Sequence, residues 1–155
     1  MFNETGYNLE DKETEARKTI EVWLLDDNEA LTESQMRGWE TMVSKDFGFQ
    51  SYATAKEALA VIEQKLQNNE SLPNIIFVDG NLDKDEGELK NGANFIIKVR
   101  KLEVPQPMLI AHSNSKGANE KMMSVGADLA MEKGIVTLRD YLKYFQSLEA
   151  KPIEQ

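Results

Sequence analysis

Short apolar runs alternate with stretches in which apolar residues recur every three or four positions. Ile20-Glu21-Val22-Trp23-Leu24-Leu25 is a run of strand type, and Ala30 to Val43 follows with Met36, Trp39 and Val43 at helical spacing. Phe49 to Ala53 is a weaker strand signal, and Ala55, Leu59, Ile62 and Leu66 mark one face of a second helix. Asn74 to Val78 is a continuous apolar strand, and Phe95, Val99 and Leu102 mark a third helix. Met108-Leu109-Ile110-Ala111 is a fourth strand, and Ala118, Met122 and Val125 mark a fourth helix. Asp128 to Met131 is a candidate fifth strand, and Leu138, Tyr141 or Leu142, and Phe145 give a last helix face.

The pattern is a strand–helix unit repeated five times. Strands that read as solid apolar runs are buried on both faces, as in a parallel sheet covered by helices. Right-handed crossovers then give a doubly wound α/β sandwich. Residues 1–18 are polar and charged and read as a flexible acidic arm, 19–149 as the folded domain, and 150–155 as a loose tail. From Gly80 to Gly92, charged residues crowd together with three glycines, which reads as an exposed loop.

Composition narrows the function classes. Of the 155 residues, 41% are hydrophobic and 29% charged, an ordinary mix for a globular chain. No apolar run approaches the roughly 20 residues of a membrane span, and the first residues lack the apolar core of a secretory signal. The absence of cysteine excludes disulfides and thiolate metal sites. These features predict a cytoplasmic protein. A net charge of −9, without a Lys/Arg cluster, argues against direct contact with nucleic acid or anionic membrane. Regulation by this chain would then run through another protein.

Ligands of open parallel sheets bind outside the carboxyl ends of the strands. The first strand ends in Asp26-Asp27, the third in Asp79, the fourth in Ser113 or His112, and the fifth in Lys133. Three close carboxylates repel one another unless a cation joins them. Mg²⁺ takes oxygen ligands and binds through one or two carboxylates plus phosphate oxygens. A carboxylate can act as the nucleophile and become an aspartyl-phosphate, and a hydroxyl nearby can donate to its oxygens. Each piece has a plainer explanation. Asp26 and Glu29 fit a capping box, Asp79-Gly80 is a turn dipeptide, Lys133-Gly134 fits a solvated turn, and Ser113 fits a helix cap. The order, with each piece at a strand end, favours a site. His112 alone would more often be a packed or surface residue than a ligand.

Val22 to Asn28, Ile75 to Asn81, and Val125-Gly126-Ala127-Asp128 followed by Lys133 resemble the receiver domains of bacterial response regulators, over roughly Ile20 to Leu148. The resemblance implies a (βα)5 flavodoxin-like fold with strand order 2-1-3-4-5. It also implies roles. Asp79 would accept a phosphoryl group from a sensor histidine kinase or a histidine phosphotransfer protein. Asp27, Asp79 and the Asn81 carbonyl would ligate Mg²⁺ or Mn²⁺, with Asp26 acting mainly through water. Lys133 would pair with Asp79, and Ser113 would be the switch hydroxyl, with His112 the alternative if the register slips by one. Asn81 and Ser115 would tune loss of the phosphate. No enzymatic activity is implied beyond the chain's own phosphorylation and dephosphorylation.

Several residues depart from the family pattern. Gly134 follows Lys133 where the family has proline with a cis bond, so a trans bond is expected here. Ala130 stands where the family often has an aromatic, Asn114 where it has a small residue, and residues 82–90 look like an insertion. These departures motivate a second reading, a scaffold of this fold that works without phosphate. A third reading, an Asp-nucleophile phosphatase, needs a second Asp where Asn81 stands. On the leading reading the output is contact with a downstream protein target through the fourth helix, fifth strand and fifth helix.

Overall fold

A computed structural model describes residues 19–149, so the readings of the acidic arm and the C-terminal tail lie outside the described residues. Five strands, β1 (Ile20–Leu25), β2 (Phe47–Tyr52), β3 (Ile75–Val78), β4 (Met108–Ala111) and β5 (Leu129–Ala130), alternate with five α-helices. The helices are α1 (Glu29–Met42), α2 (Ala55–Gln67), α3 (Gly92–Arg100), α4 (Lys116–Ser124) and α5 (Leu138–Glu149). All neighbouring strands pair in parallel, in the order β2-β1-β3-β4-β5. This is the predicted architecture.

Side chains alternate across the sheet. Trp23, Leu25, Ile76, Val78, Leu109 and Ala111 face a core completed by Ala58 and Ile62 of α2, Ile96 and Val99 of α3, and Met122 of α4. Val22, Leu24, Ile75, Phe77 and Ile110 face Trp39 of α1 and Tyr141 and Phe145 of α5. Both cores explain why β1 and β3 read as solid apolar runs. On the second face, Trp39 packs 5.0 Å from Phe77 and 5.3 Å from Phe145, ring centre to ring centre. Between the alternatives for the last helix, Tyr141 is the buried residue.

The caps differ from the sequence reading. α1 is capped by Asn28, whose side chain accepts from the Leu31 N–H, so Asp26 is not its cap. α4 is capped by Ser115 rather than Ser113. Freed from capping, Asp26 and Ser113 sit further back, at the strand ends. The peptide bond between Lys133 and Gly134 is trans.

Candidate functional site

The ladder continues one residue past the strands and fixes the site. The Asp26 N–H bonds the Tyr52 carbonyl at 3.0 Å, the Asp79 N–H bonds that of Leu25 at 3.0 Å, and the His112 N–H bonds that of Val78 at 2.9 Å. Asp26 and Asp79 are thereby held side by side at the carboxyl end of the sheet. One carboxylate oxygen from each of Asp26, Asp27 and Asp79 lies within 4.8 Å of the others. Asp26 and Asp79 are buried, and Asp27 is half-buried at the mouth.

Lys133 reaches this cluster from the far edge of the sheet. Its backbone N–H bonds the Ser113 carbonyl at 3.1 Å, so the chain after β5 still follows the chain after β4. Its Nζ stands 2.7 Å from Asp26 Oδ2 and 3.4 Å from Asp79 Oδ2. The other Asp26 oxygen accepts from the Asn28 N–H at 2.9 Å. Asp27 accepts from the Asp83 N–H at 2.7 Å, and the Asn81 N–H approaches Asp79 Oδ1 at 3.4 Å.

One ammonium does not balance three carboxylates. Burial, then the neighbouring Asp26 charge, pushes Asp79 up to about 6, against the pull of Lys133. Burial works against the charge on Lys133, but its hydrogen bond to Asp26 and the charge of Asp79 outweigh that and raise its pKa. The cluster is therefore short of positive charge. Its donors are hard oxygens, the set that suits Mg²⁺ or Mn²⁺.

A close backbone approach shapes the floor. A Cβ on Gly92 would lie 2.1 Å from the Asp79 carbonyl oxygen, and one on Gly80 2.7 Å from the Ala118 Cβ. Only glycine lets α3 and α4 press so near the acceptor.

The register of the fourth strand shows how Ser113 and His112 stand relative to Asp79. Val78 pairs with Ala111, so His112 is level with Asp79 and shares its face, while Ser113 is level with Gly80 on the other face. A Cβ on Gly80 would lie 3.3 Å from Ser113 Oγ, which accepts from the Ser115 N–H at 3.1 Å. Asn119 clamps the Ser113 backbone, accepting from its N–H at 2.9 Å and donating to its carbonyl at 3.0 Å. The residue level with Asp79, one past the end of β4, is thus His112, the alternative to Ser113. Its ring is 1% exposed, and its Nε2 is hydrogen-bonded to the Tyr141 hydroxyl.

The segment between Gly80 and Gly92 is largely exposed, as expected, but two of its residues turn inward and anchor it. Leu82 is fully buried, and Asp85 nearly so. Asp85 accepts from the Ala55 N–H at 2.6 Å and the Lys56 N–H at 3.0 Å, at the start of α2. A short 3₁₀ turn, Gly87–Lys90, and a bridge between Asn81 and Asn91 close the segment. The two free helix N–H groups need an acceptor, and Asp85 supplies both bonds. No local pattern announces a partner 30 residues away.

No protein-family profile matches the chain, and no curated protein matches it. Solved structures do. A two-component response regulator from Legionella pneumophila matches with a TM-score of 0.67 at 17% identity, over 86% of this chain and all of that one. A CheY-like receiver domain from Methylobacillus flagellatus matches at 0.65 and 16%, over 84% of this chain and 99% of that one. The phosphorylated cyanobacterial phytochrome response regulator RcpA matches at 0.63 and 17%, over 84% and 91%. The chain has the fold of a response-regulator receiver domain. Among the described residues, no helix is long and apolar enough to cross a membrane.

Proposed function

We propose that this chain is the phosphoacceptor of a two-component relay in the cytoplasm. A carboxylate oxygen of Asp79 attacks the phosphorus of a phosphohistidine on a kinase or phosphotransfer protein. The P–N bond breaks, the histidine nitrogen leaves with the electron pair and takes a proton, and Asp79 becomes an acyl phosphate. The observation that carries this is the buried Asp79 carboxylate, flanked by Asp26 and Asp27 and met by Lys133 at 3.4 Å. Asp27, Asp79 and the Asn81 carbonyl would hold Mg²⁺ or Mn²⁺, which supplies positive charge for the phosphoryl oxygens. Both Asp26 oxygens already have protein partners, consistent with a role once removed from the ion. Lys133 neutralises the carboxylates at rest and the phosphoryl oxygens after transfer. RcpA, which shares the fold, was solved phosphorylated.

The output would be a change in the surface of α4, β5 and α5. Met123 and Leu138 expose 41% of their area and Ile135 exposes 68%, which leaves apolar contacts for a protein target.

A phosphate-independent scaffold is the second reading, favoured by the exposed Ala130 and by the histidine beside Asp79. Acetyl phosphate with Mg²⁺, followed by intact mass, separates the two. A single phosphate adduct, lost with a chelator and in Asp79→Asn, supports the acceptor. No adduct on the wild-type chain supports the scaffold.

A further inference from the structure

The two edges of the sheet are unlike. β5, at one edge, is two residues long, and a short edge strand is a poor template for another chain. β2, at the other, is Phe47-Gly48-Phe49-Gln50-Ser51-Tyr52 and spans roughly 20 Å. Exposed edges are ordinarily blunted by charge, proline or a bulge. β2 has no charged residue and no proline, and its register with β1 is unbroken. The Asp46 and Tyr52 carbonyls accept from Ile20 and Asp26, at the start of β1 and just past its end. Alternation then turns the bonding groups of Gly48 and Gln50 toward β1, and those of Phe49 and Ser51 outward. Among the described residues, no strand meets them.

We propose that the free edge of β2 is a docking site for an extended basic segment of a partner protein, which adds to the sheet as a further strand. In such docking the main-chain bonds hold the segment, and pockets for its alternate side chains select it. The edge has a groove on each side. Between α1 and Ser51 lies one of about 390 Å³, lined by Glu29, Glu33, Met36, Arg37 and Glu40. Between α2 and the side chains of Gln50 and Tyr52 lies another of about 330 Å³, lined by Glu21, Gln64, Lys65 and Glu70. Successive side chains of an added strand would point to one groove and then the other.

Charge selects the occupant. On the α1 side, Glu33 pairs with Arg37 at 3.7 Å and Glu29 with Lys84 at 2.9 Å, while Glu40 has no ion pair among the described residues. On the α2 side, Lys65 serves both Glu21 at 3.5 Å and Glu70 at 3.9 Å. Each groove keeps a carboxylate in excess. A second copy would bring the same acidic rims against these, in a chain of net charge −9. A strand bearing lysine or arginine complements them. The site lies at the opposite edge of the sheet from β5 and does not depend on Asp79 as an acceptor.

The test is amide NMR and hydrogen exchange of the full isotope-labelled chain with a short peptide that alternates threonine and lysine, and with its threonine–glutamate counterpart. The lysine peptide is expected to shift and protect the Phe49 and Ser51 amides, leaving Gly48 and Gln50, already bonded to β1, little changed. The glutamate peptide does neither. Ser51→Pro removes one outward N–H at a position where an edge strand tolerates proline. It weakens binding about tenfold, with the β1 amide signals unmoved as evidence of an intact fold. Glu40→Lys, on the exposed face of α1, weakens it about threefold. Shifts confined to α1, equal binding of the two peptides, or no response to the lysine peptide overturns the proposal. So does protection of Phe49 and Ser51 before any peptide is added: concentration-dependent protection means a second copy covers the edge, and concentration-independent protection means the chain's own residues 1–18 do.

Discussion

The ammonium of Lys133 bonds the carboxylate of Asp26 at 2.7 Å across 107 residues of chain, joining the last strand to the first. Asp79 lies between these strand ends, 3.4 Å from the same ammonium. The resting pocket therefore holds its cation mainly on Asp26, which leaves Asp79 only partly neutralised.

That imbalance sets a pH dependence. The folded-state pKa of Asp79 is raised to about 6 from 3.8, so the folded state binds a proton that the unfolded state releases. With more protons bound when folded, metal-free stability falls as pH rises through the window from about 4 to 6. The loss attributable to Asp79 is on the order of 3 kcal/mol. In Asp79→Asn that component disappears, so the variant is the more stable above pH 6. Urea midpoints against pH, wild type minus variant, read this directly. A wild type more stable than Asp79→Asn at pH 7 without metal would contradict it.

Adding Mg²⁺ at pH 7 recovers this stability in the wild type by mass action, about 2.7 kcal/mol at a hundredfold excess over the dissociation constant. Asp79→Asn and Asp27→Asn gain less. Thermal midpoints over a Mg²⁺ titration measure it, and equal gains in all three proteins would place the ion elsewhere.

Removing the ammonium has the opposite sign. Lys133→Met leaves the buried carboxylates uncompensated, which costs several kcal/mol, on the order of 3, at pH 7 and less at pH 5, where Asp79 protonates. Phosphorylation by acetyl phosphate slows at least tenfold. The comparison of denaturation curves at the two pH values carries the claim, and a pH-independent cost would contradict it.

Asp85 is a structural residue beside the site. Asp85→Ala removes both bonds to the start of α2 and costs about 1–2 kcal/mol. Asp85→Asn keeps one acceptor oxygen and costs less. Both variants keep the acceptor chemistry, as initial rates with acetyl phosphate would show.

The architecture was legible because β1, β3 and β4 are apolar runs ending in polar residues, and a run buried on both faces needs little tertiary help to be recognised. Asp26, Asp27, Asp79 and Lys133 could be read for the same reason, since each follows a strand end. His112 was harder: Ser113 is its neighbour, and a one-residue slip turns a strand's side chains to the other face. Only the pairing of Val78 with Ala111 decides the register. Asp85 and Leu82 were hidden among charges and glycines, because what draws them inward is the start of α2, far away in sequence. Asn28 and Ser115 took the caps by proximity to their helices, a matter of one or two residues that spacing alone does not fix.

The central claim is that Asp79 itself becomes an acyl phosphate, and borohydride trapping addresses it most directly. The Mg²⁺-loaded chain is phosphorylated with acetyl phosphate, reduced with borohydride, digested and sequenced by mass spectrometry. The predicted result is homoserine at position 79, absent when acetyl phosphate or Mg²⁺ is omitted. Reduction at another carboxylate, or at none, would contradict the account.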